Sequence, residues 1–143
     1  MSFDLVPTNR NFKVTIPGVE PGDNADNVVI TVDWTTGRLI ESSRASLGFP
    51  PNSFTMNNAL WGVFWRWVCD NCQSVLSPDE LETGCQNDGL FITKQQCEAI
   101  AKVLANALEA QVVLYPGDDH CPENTLAVCL LEFLTQCEGF EIW

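Results

Sequence analysis

The stretch that most constrains this chain runs from residue 57 to residue 76 and is built around WGVFWRWVCDNC, Trp61 to Cys72. Its apolar side chains recur at three- and four-residue spacing. At about 100° per residue, Leu60, Trp61, Phe64, Trp65, Val68, Cys69, Cys72, Val75 and Leu76 share one half of a helical circumference. Gly62, Arg66, Asp70 and Gln73 hold the other side. The pattern predicts a helix over 58–76, capped by Asn57 or Asn58, with a wide stripe to bury.

That stripe decides how the C-x-x-C pair is read. Zinc sites use pairs of this spacing, but one pair is half a site. The remaining ligands would come from Cys85, His120 or Cys121. A redox pair needs its first thiol at a helix N-terminus, where the dipole lowers the thiol pKa; this pair lies near the C-terminal end. Cys72 falls near the middle of the stripe and Cys69 at its rim, so both are read as core thiols. Trp67 lies outside the stripe, near Val63, Asn71 and Ser74. It either packs under the sheet or stands as a binding anchor. Exposed Trp and Arg are enriched at binding hot spots, so Trp67, Arg66 and Val63 are the candidate partner contacts.

The remainder of the chain supplies the other elements. FKVTI (12–16) and VVITVDW (28–34) alternate and are β-branched, and RLIES (38–42) is a short third strand. Residues 43–55 are read as a packed connection. Ser77 caps a short helix over 78–83 with Pro78 in its first turn, and Gly84 stops it. Asn87-Asp88-Gly89 makes a turn, and Leu90-Phe91-Ile92 a strand fragment. Thr93 and Gln96 form a capping box for a helix over 94–110, striped by Cys97, Ile100, Ala101, Leu104 and Leu108. The last helix, 123–138, contains LAVCLLEFL and is apolar nearly all round, which places it centrally. Gly139 ends it, and residues 140–143 form a terminal strand. The fold is therefore read as α+β in one domain, 1–143: a small N-terminal antiparallel sheet (12–16, 28–34, 38–42, joined by 140–143), three main helices and one short helix.

Charge narrows the function. Nineteen acidic against seven basic residues give a net charge of −12. Only Arg66, Lys94 and Lys102 are basic after residue 45, which argues against direct nucleic-acid binding. Such acidity keeps a chain soluble and steers it to basic partners. No apolar run approaches the ~20 residues of a membrane span. The start, MSFDLVPTNR, has no basic segment followed by an apolar one, so a cytoplasmic protein with reduced cysteines is expected.

Other motifs read as ordinary structure. GCQNDGLFITKQQCE resembles a calcium loop, but Gly84 and Gln95 stand where the loop needs acids, so a turn and capping box are preferred. DNADN (23–27) and DDH (118–120) are read as solvated loops rather than cation sites. His120 is the only histidine, and its adjacency to Cys121 does not make a nucleophile pair. There is no Gly-x-Ser-x-Gly elbow, phosphate loop or dinucleotide fingerprint. No catalytic residue and no cofactor is assigned.

FWRWVCDNC, the QNDG turn before the capped helix and the ending EFLTQCEGFEIW resemble a group of small uncharacterised bacterial proteins. Members carry a Trp- and Arg-containing helix, an Asn/Gly turn before an alanine-rich helix, and a final helix with a Gly-Phe-x-Ile tail. The resemblance covers residues 57–143. It implies a bacterial or phage source and an intact domain, and brings no functional residue with it. The leading expectation is a non-enzymatic acidic interaction module, an antidote or decoy for a basic protein. The alternatives are a metal-stabilised protein using the cysteines named above, and a structural or virion-associated subunit whose terminal FEIW strand adds to a neighbour's sheet.

Overall fold

A computed structural model of the chain describes residues 2–9, 28–32, 39–41, 54–110 and 125–143. In chain order the elements are β1 (Ser2–Pro7), β2 (Val28–Val32), β3 (Leu39–Glu41), β4 (Phe54–Asn57), α1 (Asn58–Asn71), α2 (Pro78–Thr83), β5 (Leu90–Ile92), α3 (Lys94–Glu109), α4 (Thr125–Gln136) and β6 (Phe140–Ile142). The fold is α+β. The strands form one sheet in the order β3-β2-β4-β1-β6-β5.

This sheet is larger than the sequence pattern implies. Strands β2 and β3 pair antiparallel, as expected, but β2 runs parallel to β4. The centre is β1, paired antiparallel to β4 on one side and to β6 on the other. The segment 12–16, expected to be a strand, lies outside the described residues. The strand that does open the chain is Ser2–Pro7, where Phe3, Leu5 and Pro7 alternate with Asp4 and Val6 and are buried. Residues 54 and 55, expected to belong to a connection, begin β4, whose Phe54 and Met56 are buried.

One apolar cluster joins the sheet to the helices. Phe3, Leu5, Phe54, Met56, Ile92, Phe140 and Ile142 supply its sheet side. Phe3 stacks on Trp61 of α1 with ring centroids 5.5 Å apart, and Phe54 meets Phe133 of α4 at 4.9 Å. Phe133 also packs edge-on against Phe140 at 5.4 Å. Central placement of α4 follows: Ala127, Cys129, Leu130, Phe133 and Leu134 are all buried. The α3 stripe of Cys97, Ile100, Ala101 and Leu104 is buried as its spacing predicts. Among the described residues no helix is long and apolar enough to cross a membrane.

α1 ends at Asn71, five residues before its periodicity does. The Cys72 amide still donates to Val68 O at 2.8 Å, after which Val75 and Leu76 both donate to Cys72 O and turn the chain. Polar side chains bond back to carbonyls near this end: Asn71 Nδ2 to Trp67 O at 2.8 Å and Gln73 Nε2 to Cys69 O at 3.1 Å. Such local bonds compete with helix continuation. Leu76 is nonetheless buried, so the turn keeps the end of the stripe on the core.

Candidate functional site

The tryptophans of α1 have structural partners. Trp61 and Trp65 stack with centroids 5.3 Å apart. Their indole N–H groups donate to Gly84 O at 2.9 Å and Leu81 O at 2.7 Å. Those carbonyls lie at the end of α2, where a helix leaves its last C=O groups without internal partners. Buried indoles need an acceptor, and this helix end provides two.

Gly84 makes that approach possible. It closes α2 as expected, with an ordinary right-handed backbone, φ −63°. It is needed for space, because a Cβ at this position would overlap the Trp65 indole.

Trp67, Arg66 and Val63 fall on the outer part of the same helix. Trp67 is half-buried against the core, its ring stacked on Phe64 at 6.2 Å and 17°. Val63 is also half-buried and Arg66 is exposed. Trp67 is thus partly packed and partly available.

The cysteines divide by environment. Cys72 is fully buried, and burial followed by the neighbouring Cys69 pushes its thiol up to about 11. Cys69 is half-buried, with its Sγ 3.7 Å from Leu81 O. Burial, then Asp70 and Cys85, push its thiol up as well. Cys85 is exposed, with its Sγ 2.9 Å from Glu82 O. Among the described residues no group of three or more His, Cys, Asp or Glu side chains is placed to hold a metal ion. His120, Cys121 and the DNADN and DDH loops lie outside the described residues. Cys97 and Cys137 form a further buried pair, Sγ to Sγ 3.6 Å. The hydrogen bond shared with Cys137, and then burial, push the Cys97 thiol above its ordinary value.

The sheet's other face holds a group that the sequence reading passed over. Phe91 lies directly opposite Glu141, and Glu141 opposite Val6, across β5, β6 and β1. In the next row Trp143 and Asp4 exchange both backbone hydrogen bonds, 2.6 and 2.8 Å. Side chains alternate across a strand, so Phe91, Glu141, Trp143, Asp4 and Val6 share the face away from Ile92, Phe140 and Ile142.

Phe91 is 46% exposed and Trp143 47%, the exposed large hydrophobics of the described residues. The Trp143 indole N–H donates to Glu141 Oε2 at 2.8 Å. Both rings rest on glycines. A Cβ on Gly89 would lie 2.7 Å from two carbons of the Trp143 ring, and one on Gly139 would lie 3.0 Å from Phe91 Cζ. Both glycines have left-handed backbones, φ +82° and +98°.

Part of the signal for this patch was present in the sequence. FEIW alternates, and with Phe140 and Ile142 in the core Trp143 falls on the other side; LFI is apolar throughout, so its own pattern does not choose the side of Phe91. Strand β6 has both edges paired within its own sheet, to β1 and β5. Addition of FEIW to a neighbour's sheet, considered from sequence, has no free edge to use.

Comparison of the chain with family models, with curated proteins and with solved structures finds no match.

Proposed function

We propose that the chain is a non-enzymatic, acidic protein-interaction module of bacterial or phage origin that binds a basic protein in the cytoplasm, in the manner of an antidote or decoy. The observation that carries this reading is the charge of −12 on 143 residues. Charge of one sign raises association rates with oppositely charged partners and disfavours acidic ones. Aromatic side chains left at the surface supply what charge does not, a short-range anchor. Trp67, half-buried beside exposed Arg66 and one turn from Val63, is the candidate for such an anchor on α1.

A pulldown from bacterial lysate at about 0.05 M and about 0.5 M salt tests the reading, because exposed charge pairs are screened over a few ångströms at the higher value. A basic protein retained at low salt and released at high salt is the expected result. Retention of nothing that depends on salt would remove the reading.

A further inference from the structure

The open face of the sheet at β5 and β6 combines two features that are uncommon together. Large aromatic rings are half exposed, and a carboxylate lies between them on the same strand row or one row away. We propose that this face docks an arginine-bearing extended segment of a partner protein, with guanidinium groups over Phe91 and Trp143 and paired to Glu141. The proposal rests on the interaction reading above and gives it a surface different from Trp67 and Arg66.

The geometry supports it in three ways. First, each ring touches a glycine that adjoins a strand of its own sheet. The Trp143 ring lies against Gly89 and the tip of the Phe91 ring, Cζ, against Gly139, while about half of each side chain meets solvent. Such a ring can accept a cation within about 6 Å of its centroid, and arginine is the commoner cation because its planar group also stacks.

Second, Glu141 is oriented. Its Oε2 accepts from the Trp143 indole at 2.8 Å, which fixes the carboxylate beside the ring and leaves Oε1 able to accept from a guanidinium. Hydrogen bonds from a charged donor to a charged acceptor are among the stronger ones.

Third, charge selects the occupant. A second copy of this chain brings another −12, and a nucleic acid brings phosphates; both are repelled. A cationic peptide is attracted over the whole approach and then finds aromatic contacts at this face.

An acetylated Gly-Arg repeat hexapeptide, titrated at about 0.15 M salt and followed by protein NMR, tests the assignment. The Trp143 indole N–H and the Phe91 and Glu141 amides should shift. Phe91→Leu keeps an apolar side chain against Gly139 but removes the π face. Glu141→Gln keeps an acceptor for the Trp143 indole but removes the charge. Each should weaken binding about two- to fivefold. Glu109→Gln removes an exposed carboxylate at the end of α3 and should leave binding unchanged.

Equal weakening by Glu109→Gln and Glu141→Gln would mean diffuse charge and overturn the proposal, as would shifts centred elsewhere. Should Phe91→Leu fail to fold, Glu141→Gln decides alone. Sedimentation of the chain by itself should show no dimer that Phe91→Leu abolishes; such a dimer would give the face to a second copy and overturn the proposal. A salt-sensitive partner retained undiminished by the Phe91→Leu, Glu141→Gln double variant would overturn this face while leaving the interaction reading intact.

Discussion

Glu80 and Gln96 each occupy the third position of a helix, each closes its own capping box, and they are hydrogen-bonded to one another. Glu80 Oε1 accepts from the Ser77 amide at 3.0 Å and Gln96 Oε1 from the Thr93 amide at 2.9 Å. Gln96 Nε2 then donates to Glu80 Oε2 at 3.0 Å. The N-termini of α2 and α3 are thereby joined through the two side chains that cap them. Each box was visible in the sequence as S/T-x-x-E/Q; their junction is a tertiary fact.

The junction makes stability depend on pH in a definite direction. The Ser77 backbone bond, and then the Gln96 amide, hold the Glu80 carboxyl below its ordinary value of 4.5. A folded-state pKa below the unfolded one means stability that is present above the ordinary value and lost as pH falls through the depressed one. At pH 7 Glu80→Gln should therefore be less stable than wild type by about 0.5–1 kcal/mol, the scale of a charge at a helix N-terminus. That gap should close on acidification through the range just below pH 4.5. Urea midpoints for both proteins from pH 7 to pH 2.5 read it out, and a gap that stays constant would exclude the carboxylate as its source.

Two glycines of the α1–α2 pair should respond to alanine with opposite sign. A Cβ on Gly84 would overlap the Trp65 indole, whereas one on Gly62 would meet nothing within 4 Å. Gly84→Ala pushes the indole off Leu81 O, combining overpacking with a disturbed, partly buried hydrogen bond, and should cost about 2–4 kcal/mol. Gly62→Ala removes a flexible residue from an exposed helical position and should gain about 0.5–1 kcal/mol. Chemical denaturation of both variants checks the pair. A tolerated Gly84→Ala would show that Trp65 does not close on the end of α2.

The two glycines beneath the exposed aromatics should differ from each other. Both have left-handed φ, so alanine strains the backbone at either. At Gly89 the nearest atoms to the new methyl all belong to the half-exposed Trp143 side chain, none to backbone. At Gly139 it meets Ile92 O at 3.0 Å, a backbone atom within the β5–β6 ladder. Gly139→Ala should cost about 2–3 kcal/mol and Gly89→Ala about 1 kcal/mol. Thermal melts should rank them so; the reverse order would place the obstruction at Trp143.

What could be read in advance follows from the range of each signal. The stripe of α1, the capping boxes at Ser77 and Thr93 and the apolar circumference of α4 are local patterns, and the helices appear where those patterns lie. β1 and β4 were missed because short alternations such as Phe3-Asp4-Leu5 and Phe54-Thr55-Met56 carry little weight alone. They become strands by pairing with each other and, through β1, with β6.

The reason for Gly84 was equally out of reach. Its φ is ordinary, and what excludes a Cβ there is a tryptophan nineteen positions earlier in the chain. The Phe91–Glu141–Trp143 patch lies between these cases. The Glu141–Trp143 half is written in the alternation of FEIW, but the all-apolar LFI does not say which side Phe91 takes, and only the register between β5 and β6 brings the halves together.

The cysteines of the C-x-x-C pair should behave as packing groups. Reaction with an alkylating agent requires the thiolate and an open path. Cys85 is exposed, Cys69 half-buried with a raised thiol, and Cys72 fully buried with its thiol pushed up to about 11. In native protein at pH 8, iodoacetamide should therefore, among the cysteines of the described residues, label Cys85 first and Cys69 more slowly. Cys72, Cys97, Cys129 and Cys137 should react only at the rate at which the chain unfolds. Peptide mapping over time distinguishes them, and added urea should bring the buried four up together. Labelling of Cys72 as fast as Cys85 in folded protein would mean that its side chain reaches solvent, and the stripe reading of α1 would fail at the residue that separates it from a metal or redox site. Zinc added before the reagent provides the complementary measurement. Two thiols held protonated by burial bind it poorly, so protection of the slowly reacting Cys69 by stoichiometric zinc would return the metal reading in place of the core one.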